Sequence, residues 1–77
     1  MMEKAFILIS CEVGAENDLA KTMASIEEIK NILVTYGDYD IVAEVQTENS
    51  EQMDSFITSQ IRKLEKIRST ITLRASS

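Results

Sequence analysis

The sequence predicts an α+β domain in the order strand, helix, strand, strand, helix, strand, with an antiparallel four-stranded sheet and two helices on one of its faces. Three observations predict it. The spacing of apolar residues alternates along the chain between a period of two and a period near 3.6. One of only two glycines, Gly37, lies between two runs rich in branched residues, the signature of a β-hairpin. Asn49 is followed three residues later by Gln52, which reads as the start of a helix.

In the first strand, from Lys4 to Val13, Ala5, Ile7, Ile9, Cys11 and Val13 fall on one face. Phe6, Leu8, Ser10 and Glu12 fall on the other. One face is wholly apolar and the other half so, as a central strand requires, and Gly14 ends it. From Glu16 to Ala24, Leu19, Ala20, Met23 and Ala24 share a helical stripe. Glu16 and Asp18 occupy the first turn, where the helix dipole favours carboxylates.

The second strand runs from Ile29 to Tyr36, interrupted by Lys30 and Asn31 as an edge strand tolerates. In the third, Ile41, Ala43 and Val45 alternate with Val42, Glu44 and Gln46. The second helix carries Met53, Phe56, Ile57, Ile61 and Leu64 at helical spacing, with Arg62, Lys63 and Lys66 near its negative end. The last strand runs from Ile67 to Arg74, with Ile71 and Leu73 on one face and Thr70, Thr72 and Arg74 on the other. This order is the split βαβ arrangement of the ferredoxin-like fold, with sheet order 4-1-3-2. The sheet face away from the helices is expected to present Phe6, Leu8, Val42, Ile32 or its neighbours, and the two threonines, an apolar patch that two copies would cover by stacking.

Residues 1–77 form one domain, short enough that folding buries only about 60% of the surface the unfolded chain exposes. Association is the expected remedy. A lone Cys11 and the absence of histidine leave no intrachain disulfide and no His-based metal centre, and no cofactor is expected. The net charge of −5 argues against direct nucleic-acid binding. With no apolar run of roughly 20 residues and no signal-peptide pattern, no membrane role is expected and the cytoplasm is the expected compartment.

The hairpin bend is the candidate site. Gly37 allows close approach of the backbone to an anion, Asp40 is an acceptor for an ammonium group, and Tyr36 and Tyr39 supply apolar walls with hydroxyl tips. A free amino acid matches that set. Taken singly, Gly37 and Asp38 are also ordinary turn formers, and Asp40 can satisfy backbone donors at a strand entrance. No enzyme motif accompanies them. The one carboxylate pair with catalytic potential, Glu12 and Glu44, is expected on one sheet face, where a polar rim is the plainer reading.

Val34-Thr35-Tyr36-Gly37-Asp38-Tyr39-Asp40-Ile41-Val42, followed by a helix and Ile67-Arg68-Ser69-Thr70-Ile71-Thr72-Leu73, resembles the effector (RAM) domain of the Lrp/AsnC transcriptional regulators. The hairpin resembles that family's G-x-Y-D turn and the last strand its arginine-threonine-x-threonine pattern. The resemblance implies homodimers made by facing sheets, octamer-like rings, and an amino-acid effector held between dimers. It implies ligand-binding roles for Gly37, Tyr39, Asp40, Thr70 and Thr72, with Tyr36 beside them. The family's N-terminal helix-turn-helix is not matched, because Met1 opens almost directly into the first strand. A stand-alone sensing module is therefore expected, with hetero-assembly with full-length Lrp/AsnC regulators as a further implication. Two alternatives stand beside it: a small dimeric α/β-barrel enzyme of monooxygenase or isomerase type, and a structural co-assembly module without ligand.

Overall fold

The computed structural model describes residues 2–75. Its elements are β1 (Glu3–Cys11), α1 (Glu16–Ala24), β2 (Ile29–Val34), β3 (Ile41–Thr47), α2 (Ser50–Ser55), which continues as a π-helical segment (Phe56–Ile61), and β4 (Ile67–Ala75). The sheet order is β2-β3-β1-β4 with every neighbouring pair antiparallel, so the predicted ferredoxin-like topology holds. The core lies between sheet and helices. Ile7, Ile9, Ile41, Val45, Met23 and Met53 are fully buried there, and Leu19, Phe56 and Ile61 close its edges. No helix among the described residues is long and apolar enough to cross a membrane.

The second helix starts as expected: Asn49 Oδ1 accepts the Gln52 N–H at 2.8 Å, and Gln52 Oε1 reaches back to the Glu48 N–H at 3.1 Å. Its continuation differs from a regular α-helix. Phe56 and Ile61 are both buried although five residues apart, a spacing that an α-helix places about 140° apart around its axis. The wider π-helical turn brings both to the core. The Thr58 hydroxyl donates to the Asp54 carbonyl at 2.9 Å and Ser59 to that of Ser55.

Three expectations about faces need correction. Val13 lies beyond β1 and is 97% exposed rather than part of the core, because the chain already turns where Ala15 N–H donates to the Glu12 carbonyl (3.0 Å) and Gly14 takes a φ of +85°. Thr70 and Thr72 pair with Ile9 and Ile7, and Ile32 pairs with Ala43, which puts all three on the helix side of the sheet. The open face instead presents Phe6, Leu8, Leu33, Val42, Ile71 and Leu73, of which Leu33 and Leu73 are more than half exposed. Finally, Glu44 pairs with Phe6, six residues along β1 from Glu12 and so about 20 Å away, which rules out a carboxylate pair. Glu44 is instead 3.4 Å from Lys4 Nζ on the open face.

Candidate functional site

The loop from Thr35 to Asp40 is tied down by its own first and last residues. Thr35 N–H donates to the Asp40 carbonyl (2.8 Å), and the Thr35 hydroxyl donates to the Tyr39 carbonyl (2.8 Å). Between them Gly37 adopts a φ of +124°, a conformation L residues rarely enter. Asp40 then fastens the loop to β1. Its N–H donates to the Ile9 carbonyl (2.8 Å), and its Oδ2 accepts the Cys11 N–H (2.9 Å). The Ser10 hydroxyl adds a third tie, donating to the Asp38 carbonyl at 3.1 Å.

Beside this junction lies an open cleft of about 450 Å³. Gly37, Asp38 and Asp40 form one wall, the β1 end and the start of α1 (Ser10, Cys11, Gly14, Glu16) form its floor, and Arg68 and Ser69 of β4 form the other wall. Arg68 gets there through a β-bulge. Ser10 pairs with Ser69 but Cys11 pairs with Ile67, so Arg68 is the extra residue on the bulged strand, where the local twist re-aims a side chain. Three carboxylates, Glu16, Asp38 and Asp40, thus line the same cleft as one guanidinium. Among the described residues Arg68 makes no ion pair.

Cys11 is buried under this cleft as a free thiol. Burial pushes its pKa up from 9.0, and the negative charges of Asp40 and Glu16, a hydrogen bond to Asp40 and the charge of Glu12 push it further the same way. A thiol held protonated is a poor nucleophile and a poor metal ligand. Among the described residues no group of His, Cys, Asp and Glu is arranged to hold a metal ion.

Of the residues singled out from the sequence, the cleft gathers Gly37 and Asp40. Tyr36 lines a smaller neighbouring recess of about 170 Å³ with Val34, Thr35, Gly37 and Asp40, and is fully exposed. Tyr39 is half-buried and lines neither space. Thr70 and Thr72 lie outside both, because they pair with Ile9 and Ile7, back along β1 from the Ser10–Cys11 end that forms the cleft floor. Ser10, Glu16, Arg68 and Ser69 went unpredicted. Pairing the first and last strands would have placed Ser69 beside Ser10, but nothing in the sequence marks Arg68 as bulged.

Comparison with known proteins matches residues 4–77 to the family model of the Lrp/AsnC ligand binding domain. The HTH-type transcriptional regulator FL11 of Pyrococcus abyssi is 42% identical over 53 residues, covering 69% of this chain and 35% of that protein. FL11 of Pyrococcus furiosus is 33% identical over 90% of this chain and 45% of its own length. The chain therefore spans less than half the length of these regulators. Homocitrate synthase of Saccharolobus islandicus shows 30% identity over 70 residues, only 15% of that enzyme. Among solved structures, hypothetical protein PHS023 of Pyrococcus horikoshii superposes with a TM-score of 0.92 at 35% identity, over 100% of this chain and 92% of that one. FFRP-DM1 gives the same score and identity over 96% and 99%. With the family model covering nearly the whole sequence and the fold matching throughout, the chain belongs to the Lrp/AsnC ligand-binding domain family.

Proposed function

We propose that the chain is an amino-acid-sensing, self-associating module that binds its effector in the cleft between the Gly37–Asp40 turn and Arg68. The observation that carries this reading is the bulge that turns Arg68 toward a cleft whose other wall holds Asp38 and Asp40. An α-carboxylate has a guanidinium partner there, and an α-ammonium has carboxylate partners within the same cleft. The lining carries more negative than positive charge, so a ligand with an additional cationic group fits better than one with an additional carboxylate. The cleft is open on one side and Tyr36 stands free beside it, which supports a site closed by a neighbouring subunit.

The open sheet face, with Phe6, Leu8, Leu33, Val42, Ile71 and Leu73, supports a homodimer made by stacking two such faces. Thr70 and Thr72, placed away from Asp40 within one protomer, join the effector site in this reading only through such assembly. Ligand binding shifts the assembly equilibrium by its differential affinity for the states. Similarity to FL11 supports a role in modulating full-length relatives by mixed assembly, and a non-enzymatic one.

Isothermal titration with the common amino acids, run beside light-scattering mass measurements, tests the proposal. A saturable heat for at least one amino acid, abolished in Asp40→Asn, supports it; no heat from any of them together with an unchanged mass defeats it.

A further inference from the structure

A second open cavity, of about 570 Å³, lies at the far end of the sheet from the Gly37–Asp40 turn. Thr47 lines it and ends β3, whose other end adjoins Asp40, so the cavity and the effector cleft stand roughly 20 Å apart. Its walls come from separate parts of the chain. Glu28, half-buried in the connection from α1 to β2, is held there by the Gln46 N–H, which donates to the Glu28 carbonyl at 2.9 Å. Glu51 stands in the first turn of α2. Ser55 closes α2, and Ser59 and Gln60 follow in the π-helical segment, over a floor made by buried Phe56. Ser55 and Gln60 line the same cavity although five residues apart, a spacing that a regular α-helix would splay around its axis. The distortion that seats Phe56 and Ile61 in the core therefore also shapes this cavity, and π-helical turns are frequent at functional sites.

The lining holds two carboxylates and no lysine or arginine. Among the described residues neither carboxylate makes an ion pair, and the charge of Glu28 is partly withdrawn from water, which costs free energy until a cation meets it. Beside them the hydroxyl oxygens of Ser55 and Ser59 and the side-chain oxygen of Gln60 are further acceptors. We propose that this cavity is a second ligand site, which takes a linear diamine or polyamine with its ammonium groups against Glu28 and Glu51 and its other N–H groups donating to the hydroxyls. The same lining rejects a free amino acid, whose α-carboxylate would enter a space with two carboxylates and no cation. The effector cleft has the reverse property, because Arg68 supplies that cation. The two sites share no lining residue, and this one stands whether or not the effector reading does.

Titration calorimetry of the full chain with spermidine reads the site, at about 150 mM NaCl, where a screening length of about 8 Å suppresses diffuse attraction to an acidic protein. Saturable binding of spermidine is expected, not displaced by a mixture of the common amino acids. Glu28→Gln/Glu51→Gln should bind it about tenfold more weakly, through the loss of charge-assisted contacts. Glu27→Gln/Glu48→Gln removes the same charge outside the cavity and should bind like the parent. In amide NMR spectra the shifts that spermidine causes should fall on Thr47, Glu51 and Ser59. Absence of saturable binding overturns the proposal, as does equal weakening by the two double variants. Shifts confined to the Gly37–Asp40 loop overturn it by assigning the amine to the effector cleft, and displacement of spermidine by an equal concentration of magnesium chloride does so by reducing the site to unspecific charge. Amino-acid titration of Glu28→Gln/Glu51→Gln reports separately on the effector reading.

Discussion

Asp40 Oδ2 accepts the Cys11 backbone N–H at 2.9 Å, so the residue proposed to read the effector also holds the β2–β3 loop against the end of β1. Alanine at position 40 would remove ligand contact and loop anchor together. Asp40→Ala is expected to lose about 1–2 kcal/mol of stability, the cost of an unpaired, partly shielded donor. Asp40→Asn keeps an acceptor oxygen for that N–H and removes the charge, so it should lose less than half as much while still abolishing amino-acid binding. Urea unfolding of the three proteins, read beside titration calorimetry, separates anchor from ligand contact. Equal destabilisation by both substitutions would count against the anchor.

The charge of the cleft ranks its ligands. With Glu16, Asp38 and Asp40 set against Arg68, basic amino acids should bind more tightly than neutral ones and acidic ones most weakly. One unscreened unit of charge difference in a half-open cleft corresponds to about 1 kcal/mol or roughly fivefold in affinity. Arg68→Gln should weaken every α-amino acid yet strengthen binding of the amine of a decarboxylated analogue, which loses a like charge and no partner. A dialysis series containing each class checks the order, and a preference for acidic ligands would refute it.

Covering the open sheet face can be blocked at its middle. Phe6 lies on that face opposite Glu44 and Leu73, and Phe6→Glu would place a second carboxylate beside Glu44. Because Phe6 is more than a third exposed in the single chain, the fold should survive while the dimer dissociates. Analytical ultracentrifugation is expected to show monomer at concentrations where the parent is dimeric.

The thiol gives a stability dependence of known sign. Cys11 is an acid whose pKa is raised in the folded state, so the native protein holds that proton more tightly than the unfolded chain does. Its contribution is complete below the unfolded thiol value and falls as pH rises from about 9 toward the folded value, by at most about 1.4 kcal/mol per pH unit. Cys11→Ala should flatten that alkaline slope. Denaturation midpoints across this range, compared between parent and variant, measure the difference.

The fold was legible because its strands and helices announce themselves by period, and because the two most apolar strands had to be central. The turn chemistry of Gly37 was legible for the same local reason. Faces of an edge strand were not. Ile71 and Leu73 alternate with Thr70 and Thr72, and on β4, which has a neighbour on one side only, either set could have faced the helices; the register with Ile7 and Ile9 decides it. Arg68 was hidden for a different reason. A bulge is a property of the pairing between two distant segments, Ser10–Cys11 and Ile67–Ser69, and leaves no mark on either alone.

The π-helical segment makes the second helix, in effect, one residue too long for its task. Phe56 and Ile61 reach the core only because the backbone takes up the surplus between them, where Thr58 and Ser59 are exposed. Excising Thr58 would set the two anchors four apart, the natural pitch of an α-helix, and leave everything on either side in register. In this fold, then, length can vary at that point without disturbing the core. Alignments of related chains should show their gaps between these two side chains rather than within the strands.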